Sequence, residues 1–296
     1  MYTINIGKDY QLNKWGTKGD GEFIRIAKNI LDNGAHESSI RPSYSDGTKA
    51  ETYSIIGEMA QFGPDDSALT TLRPMPVRNA IGEIFWIYQD ASNDLRLLRD
   101  KYNVHYWDNW SMKDGTIGTC YGYTVRKYGL MRRLLHGLKT DPFSRRHVLS
   151  LWDEESFRLD DYALLPCAFM TLWSVRPDKS LDMTLVLRSS DWPVAGNINM
   201  FQYQVLMHMV ARDAGLSIGT FRVFLQNVHI YDRHLEATER LINRSSIECN
   251  PKIVINPDKT DFYSLTPDDI QIVGYPLEEI KKANPQMSVF KDEIAI

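Results

Sequence analysis

Hydrophobic spacing divides the chain into legible pieces. In "DGEFIRIAKNILDNG", residues 20–34, Phe23, Ile26, Ala27, Ile30 and Leu31 share one stripe, which predicts an amphipathic helix. Asp20 can cap its start and Gly34 can end it. "PVRNAIGEIFWIY" predicts a mostly apolar helix that carries one acid, Glu83, and "LMRRLLHGLKTDP" a helix stopped by Asp141 and Pro142. The middle of the chain changes character. "RHVLSLW" reads as a strand, and "AFMTLWSV" and "LDMTLVLR" as two strands joined by the turn "RPDKS". "NMFQYQVLMHMVARDAG" is a long apolar helix ending at Gly215. The strand "TFRVFLQNVHIY", the short helix "DRHLEATERLIN" and the strand "KIVIN" follow. Polar, turn-rich "SSIRPSYSDGTKAET" is a loop that carries Arg41. Helices and strands mix without strict alternation, so the expected class is α+β in a single domain.

Bulk properties narrow the picture. The 296 residues are 43% hydrophobic and 24% charged, enough for a sizeable core. A formal net charge of -4 argues against a general nucleic-acid binder, although local arginines can hold a small phosphate. Three scattered cysteines, Cys120, Cys167 and Cys249, have no metal-ligand spacing and suit a reducing cytosol. No apolar run reaches membrane-spanning length, no signal pattern opens the chain, and a cytoplasmic protein is expected. No Gly-rich phosphate loop is found.

"YALLPCAFM" sets Cys167 directly after a proline in an apolar run. Free cysteine is commonly a small core residue, but a strand-end thiol can also be a nucleophile. The order of further segments bears on the choice. "YWDNW", "YG", "TDPFSRR", "LLPC", "LRSSD", "HMVARDAGL", "VHIY", "VGY" and a terminal "AI" occur in sequence. Together they resemble the thymidylate synthase superfamily from about Phe23 to Ile296.

The resemblance implies a mixed sheet with flanking helices, two sheets packing back to back in a homodimer, a catalytic domain over residues 21–296 and an N-terminal extension over 1–20. It implies that Cys167 adds to C6 of a pyrimidine, making C5 nucleophilic toward a one-carbon donor. A cation must then favour the thiolate, and Arg188 is the matching residue. Arg188, Ser189 and Arg41 match positions that clasp the nucleotide phosphate, and Arg145 and Arg146 match a pair supplied by the other subunit. Asn199 matches the residue that reads the base. Its neutral amide can accept from N3–H and donate to O4, which argues for dUMP; it is also a suitable helix N-cap. His229 and Tyr231 match contacts to the sugar 3′-hydroxyl. Glu83 matches a carboxylate that moves protons through water, and Tyr121 a residue near C5. Trp107 and Trp110 can stack on a pterin or serve as core aromatics. Asp191 matches a pterin contact, and Ala295 and Ile296 a tail that closes the site. The implied co-substrate is 5,10-methylenetetrahydrofolate, with no metal, no nucleic acid and no membrane partner.

Four departures shape the expected reaction. Ala168 stands where the family has His, and Leu187 where it has Gln. "WPVAGNIN" replaces a glycine-proline turn, and "LQNVHIY" replaces a glycine-rich approach to the sugar contacts. Phage-type deoxycytidylate hydroxymethylases, which resemble this family, also lack that His and that Gln. The expectation drawn is therefore water attack on an exocyclic methylene, giving 5-hydroxymethyl-dUMP. The alternative is reductive methylation to dTMP. A dCMP hydroxymethylase, or a relative that only binds nucleotide, stands further back.

Overall fold

The computed structural model describes residues 16–159 and 161–296. The expected extension over 1–20 falls mostly outside the described residues. Residues 16–20 lead into the first helix, α1 (Lys18–Asn33). Thr17 rather than Asp20 is its N-cap. Asp20, at the third helical position, answers from its side chain to form a capping box. Asp20 is also buried and accepts from Thr70 and Thr71, tying α1 to the next loop.

One six-stranded mixed sheet organises the chain in the order β1-β2-β6-β5-β4-β3. Its strands are β1 (Ala35–Glu37), β2 (Thr52–Phe62), β3 (Val148–Ser150), β4 (Ala168–Val175), β5 (Ser180–Asp191) and β6 (Ser217–Tyr231). β5 and β6 run parallel; every other neighbouring pair is antiparallel. A parallel pair needs a crossover, and the long apolar segment supplies it as a helix over Asn197–Ala214. That helix is apolar nearly all round, so it lies buried between the sheet and the other helices. Its last turn ends at Gly215, whose φ of 67° a side chain would disfavour. A small ribbon of β7 (Lys252–Ile255) and β8 (Ile270–Val273) lies apart from the main sheet.

The helices before the crossover are α2 (Val77–Ile84), α3 (Leu95–Tyr102), α4 (Gly122–Tyr128), α5 (Leu130–Thr140) and the single turn α6 (Glu154–Phe157), so the crossover is α7. Beyond it lie α8 (Leu235–Ile242), α9 (Leu277–Ala283) and the short α10 (Val289–Asp292). Two wide π-type turns, Phe85–Gln89 after α2 and Trp192–Gly196 before α7, break regular helix.

The two faces of the sheet differ. Met183, Leu185 and Leu187 of β5 point into the helical core, as do Phe221, Val223 and Leu225 of β6. On the other face Met59, Phe224, Val186 and Met170 fall in one cross-strand row over four strands. Phe224, Met59, Leu172 and Val148 are exposed there. This apolar face carries no helical layer among the described residues. No described helix is long and apolar enough to cross a membrane.

Candidate active site

The β4–β5 pairing creates the centre of the site. Cys167 sits one residue before β4, partly exposed, and its carbonyl accepts from the Arg188 backbone N–H at 3.0 Å. Side chains alternate along both strands. Ala168 and Leu187 are register partners and point into the core, 5% and 1% exposed. Cys167 lies just before the first paired residue of β4, and Arg188 alternates with core-facing Leu187 on β5. Arg188 Nη2 lies 3.9 Å from Cys167 Sγ. Its guanidinium is fixed by the carbonyls of Pro166 (3.0 Å) and Leu165 (2.8 Å) and lies over the Trp152 ring. The expected thiol–guanidinium pair is thus present. Even so, burial raises the Cys167 pKa, Asp191 adds to that, and Arg188 opposes both.

Tyr121 braces the nucleophile candidate from the other side. It heads α4 with a φ of 51°, a costly conformation for a non-glycine residue, and its hydroxyl accepts from the Cys167 N–H at 3.0 Å. Trp107 packs edge-on against Tyr121, with ring centroids 5.3 Å apart, and Trp110 against Trp107 at 5.8 Å. Trp107 is buried and also donates from Nε1 to Glu83 Oε1 at 2.9 Å.

Glu83 is almost fully buried at the end of α2. Neighbouring Gly82 allows this, because a Cβ there would meet Tyr102 Cβ at 2.8 Å. Burial raises the Glu83 pKa, and donors from Tyr106, Trp107 and Gln202 oppose the rise. The Tyr106 hydroxyl and Gln202 Nε2 (2.5 Å) both donate to Oε2.

The far end of β5 brings Asp191 level with His229 on β6 and Ser189 level with Asn227. Burial lifts the Asp191 pKa to about 7, against the Val194 backbone N–H and the Arg73 guanidinium. Its Oδ1 is buried without a partner. His229 is buried, its pKa drops to about 4, and Nδ1 pairs with Asn227 Oδ1 at 2.7 Å. Tyr231 stands edge-on to His229, centroids 5.2 Å apart, and its phenol is close enough to Asp191, Cys167 and Arg41 to sense their charges.

Arg41 is exposed on the loop before β2. The chain end joins that loop through two backbone bonds of 3.0 Å between Ile296 and Ser43, and Ala295 packs with Tyr44, Ala50 and Tyr231. Asn199 lies in the first turn of α7, partly exposed, its side chain unpaired among the described residues. Its alternative reading as an N-cap is corrected, because α7 begins two residues earlier, at Asn197.

One predicted pair is not brought in. Arg145 and Arg146 are exposed just before β3. The register Val148↔Leu172 puts them near the far end of β4, roughly 20 Å along the sheet from Cys167 at the usual strand rise.

Tyr106, Gln202 and Arg73 were not singled out by the sequence reading. Gln202 follows Asn199 by three positions on α7, a spacing that pointed to the same face. Arg73 is buried, donates to the Val194 carbonyl at 3.4 Å and lies over the Phe290 ring. No group of three or more His, Cys, Asp or Glu placed to hold a metal ion occurs among the described residues.

A mixed sheet with a thiol beside a fixed guanidinium, and a buried carboxylate held by the same aromatic cluster that packs on Tyr121, is set in the fold of a one-carbon transferase. The chain belongs to the thymidylate synthase family, whose model, described as "Thymidylate synthase", matches residues 21–289. It is 41% identical over 287 residues to a thymidylate synthase of Streptococcus sanguinis, covering 95% of this chain and 100% of that one. It is 44% identical over 266 residues to one of Streptococcus agalactiae serotype Ia, covering 88% and 95%. The fold of thermostable thymidylate synthase A from Bacillus subtilis superposes with a TM-score of 0.83 at 33% identity, over 94% of this chain and 99% of that one.

These relatives overturn the expected hydroxymethylation, and the geometry gives the reason. Ala168 and Leu187 are buried register partners packed in the core, which accounts for both as packing residues. In the altered "WPVAGNIN" segment, Trp192 is buried, stacks on Phe23 and donates to its carbonyl at 3.0 Å. Gly196 is small because a Cβ there would meet the Trp192 ring at 2.5 Å. Within "LQNVHIY", Leu225 is core and Asn227 orients His229. Each departure is a packing or support change.

Proposed function

We propose that the protein is a thymidylate synthase, converting dUMP to dTMP with 5,10-methylenetetrahydrofolate as carbon and hydride donor. The observation that carries this reading is the Cys167–Arg188 pair, a thiol 3.9 Å from a guanidinium that two neighbouring backbone carbonyls hold in place. Substrate phosphate at Arg188, joined by Ser189 and Arg41, brings the pyrimidine over Cys167. The thiol gives its proton to solvent, the sulfur bonds to C6, and the C5–C6 π pair moves to C5 and O4 as an enolate that can attack the one-carbon unit. Asn199 reads N3 and O4 of the base, while His229 and Tyr231 hold the sugar 3′-hydroxyl. Glu83 and Tyr121 serve proton movement at the base, the second at C5. Trp107, Trp110 and Asp191 form the pterin side. Ala295 and Ile296 close over it and exclude water.

The working unit is a homodimer in the cytosol. The apolar row Met59, Phe224, Val186 and Met170 supports an interface between two sheets. The distance of Arg145 and Arg146 from Cys167 within one chain supports their service in the partner's site.

The deciding experiment incubates the protein with dUMP and methylenetetrahydrofolate and weighs the nucleotide product. A gain of one methyl group, with dihydrofolate absorbance rising in step, is expected. A product heavier by a hydroxymethyl group, with tetrahydrofolate released, would overturn the reading.

A further inference from the structure

Tyr106 occupies an unusual place beside the buried carboxylate. Its residue is 37% exposed, yet its hydroxyl turns inward and donates to Glu83 Oε2. The titratable groups that face Glu83 are phenols: Tyr106 from the turn after α3, Tyr121 at the head of α4 and Tyr203 on α7. No described salt bridge reaches it, so hydrogen bonds rather than a cation oppose the rise in proton affinity that burial causes.

The three donors are not equivalent. An indole N–H and an amide NH2 only donate, whereas a phenol both donates and accepts. When Glu83 takes up a proton, Trp107 has nothing to offer the new O–H, and Gln202 accepts only by turning its whole buried amide over to present Oε1. Tyr106 can rotate its hydroxyl and accept. Tyr106 is also partly exposed, whereas Trp107 and Gln202 are buried.

We propose that Tyr106 is a positioning residue for Glu83: its hydroxyl holds the carboxylate when ionised, turns to accept when it is protonated, and so sets how readily Glu83 exchanges its proton. This deepens the synthase reading and rests on it wherever turnover is concerned. The bond to the ionised form is the stronger of the two, so removing the hydroxyl should raise the proton affinity of Glu83.

Infrared difference spectra of the full chain against pH test this without turnover. The carbonyl band of the protonated carboxyl is assigned by its loss in Glu83→Gln. In Tyr106→Phe the midpoint of that band should move up by about one pH unit, a tenfold change in proton affinity. Tyr102→Phe, whose hydroxyl donates to Asp90 at 2.6 Å instead, should leave it in place. An unmoved midpoint in Tyr106→Phe overturns the proposal. The acid limb of kcat/KM, followed by tritium release from C5-labelled dUMP, should shift in the same direction. A shifted infrared midpoint with an unshifted limb would uphold the tuning of Glu83 while removing Glu83 from the reaction.

Discussion

The two walls of the cleft are finished to different degrees. Around Glu83 every carboxylate oxygen has a donor, supplied from the turn after α3 and from α7. Around the end of β5 the polar groups are left short. Asp191 Oδ1 is buried without a partner among the described residues, burial raises the Cys167 pKa despite Arg188, and Arg41 stands exposed on the loop before β2. The difference separates preorganisation from recruitment. On the proposed function, the wall around Glu83 is assembled by the fold alone, whereas the nucleotide wall at the end of β5 would gain its remaining charge partners from substrate and from a second subunit.

The sharpest break in this contrast is Cys167→Ser. The nucleotide wall keeps its arginines and loses its sulfur. Tritium release from C5 should fall by about a thousandfold or more, while dUMP binding measured by calorimetry changes little. Undiminished release would refute the nucleophile.

Subunit recruitment predicts the next largest effect. Arg145→Ala combined with Arg146→Ala should disable the partner's nucleotide wall, and Cys167→Ser disables its own. Mixing the two inactive proteins under subunit exchange should return about a quarter of wild-type activity. Half the dimers are then mixed, and each mixed dimer carries one intact site. Recovery of no activity would place all the arginines of a site on one chain.

How far the walls could be read in the sequence depends on how local their signals are. The stripe of α1, the apolar length of α7 and the β4–β5 turn were legible because each is a periodic pattern within one segment. β2 was not, because Gly57 breaks its alternation mid-strand with a φ of 82°. Cys167 and Arg188 were legible through motif order. The meeting of Tyr106, Trp107 and Gln202 on Glu83 joins residues 119 positions apart and has no local signature. The misreading of Ala168 and Leu187 had a remedy in the strand itself. Met183, Leu185 and Leu187 alternate on the face that turned out to be core, so Leu187 was an inward position while Arg188 was not. Leu187→Ala should accordingly cost about 2–4 kcal/mol in urea unfolding and leave dTMP as the product. A change of product would return Leu187 to the cleft.

The smallest effect tests the imbalance within the nucleotide wall. Asp191 and His229 are register neighbours whose titrations oppose each other. Burial lifts Asp191 from an ordinary 3.8 to about 7, so between those values the folded chain keeps a proton that the unfolded chain has released. That contribution to stability is lost as pH rises through the window. Burial lowers His229 from 6.5 to about 4, so over that range the unfolded chain gains a proton that the folded chain refuses. Stability from this group is lost as pH falls. In the wild type the two slopes largely cancel. Asp191→Asn should uncover a decline of about 1–2 kcal/mol on going from pH 6.5 to 4, and His229→Gln a similar decline in the other direction, from pH 4 to 7. Urea midpoints at intervals across that range measure both. Curves parallel to the wild type would mean that the end of β5 is wet enough to titrate normally, and the contrast between the two walls would lose its electrostatic basis.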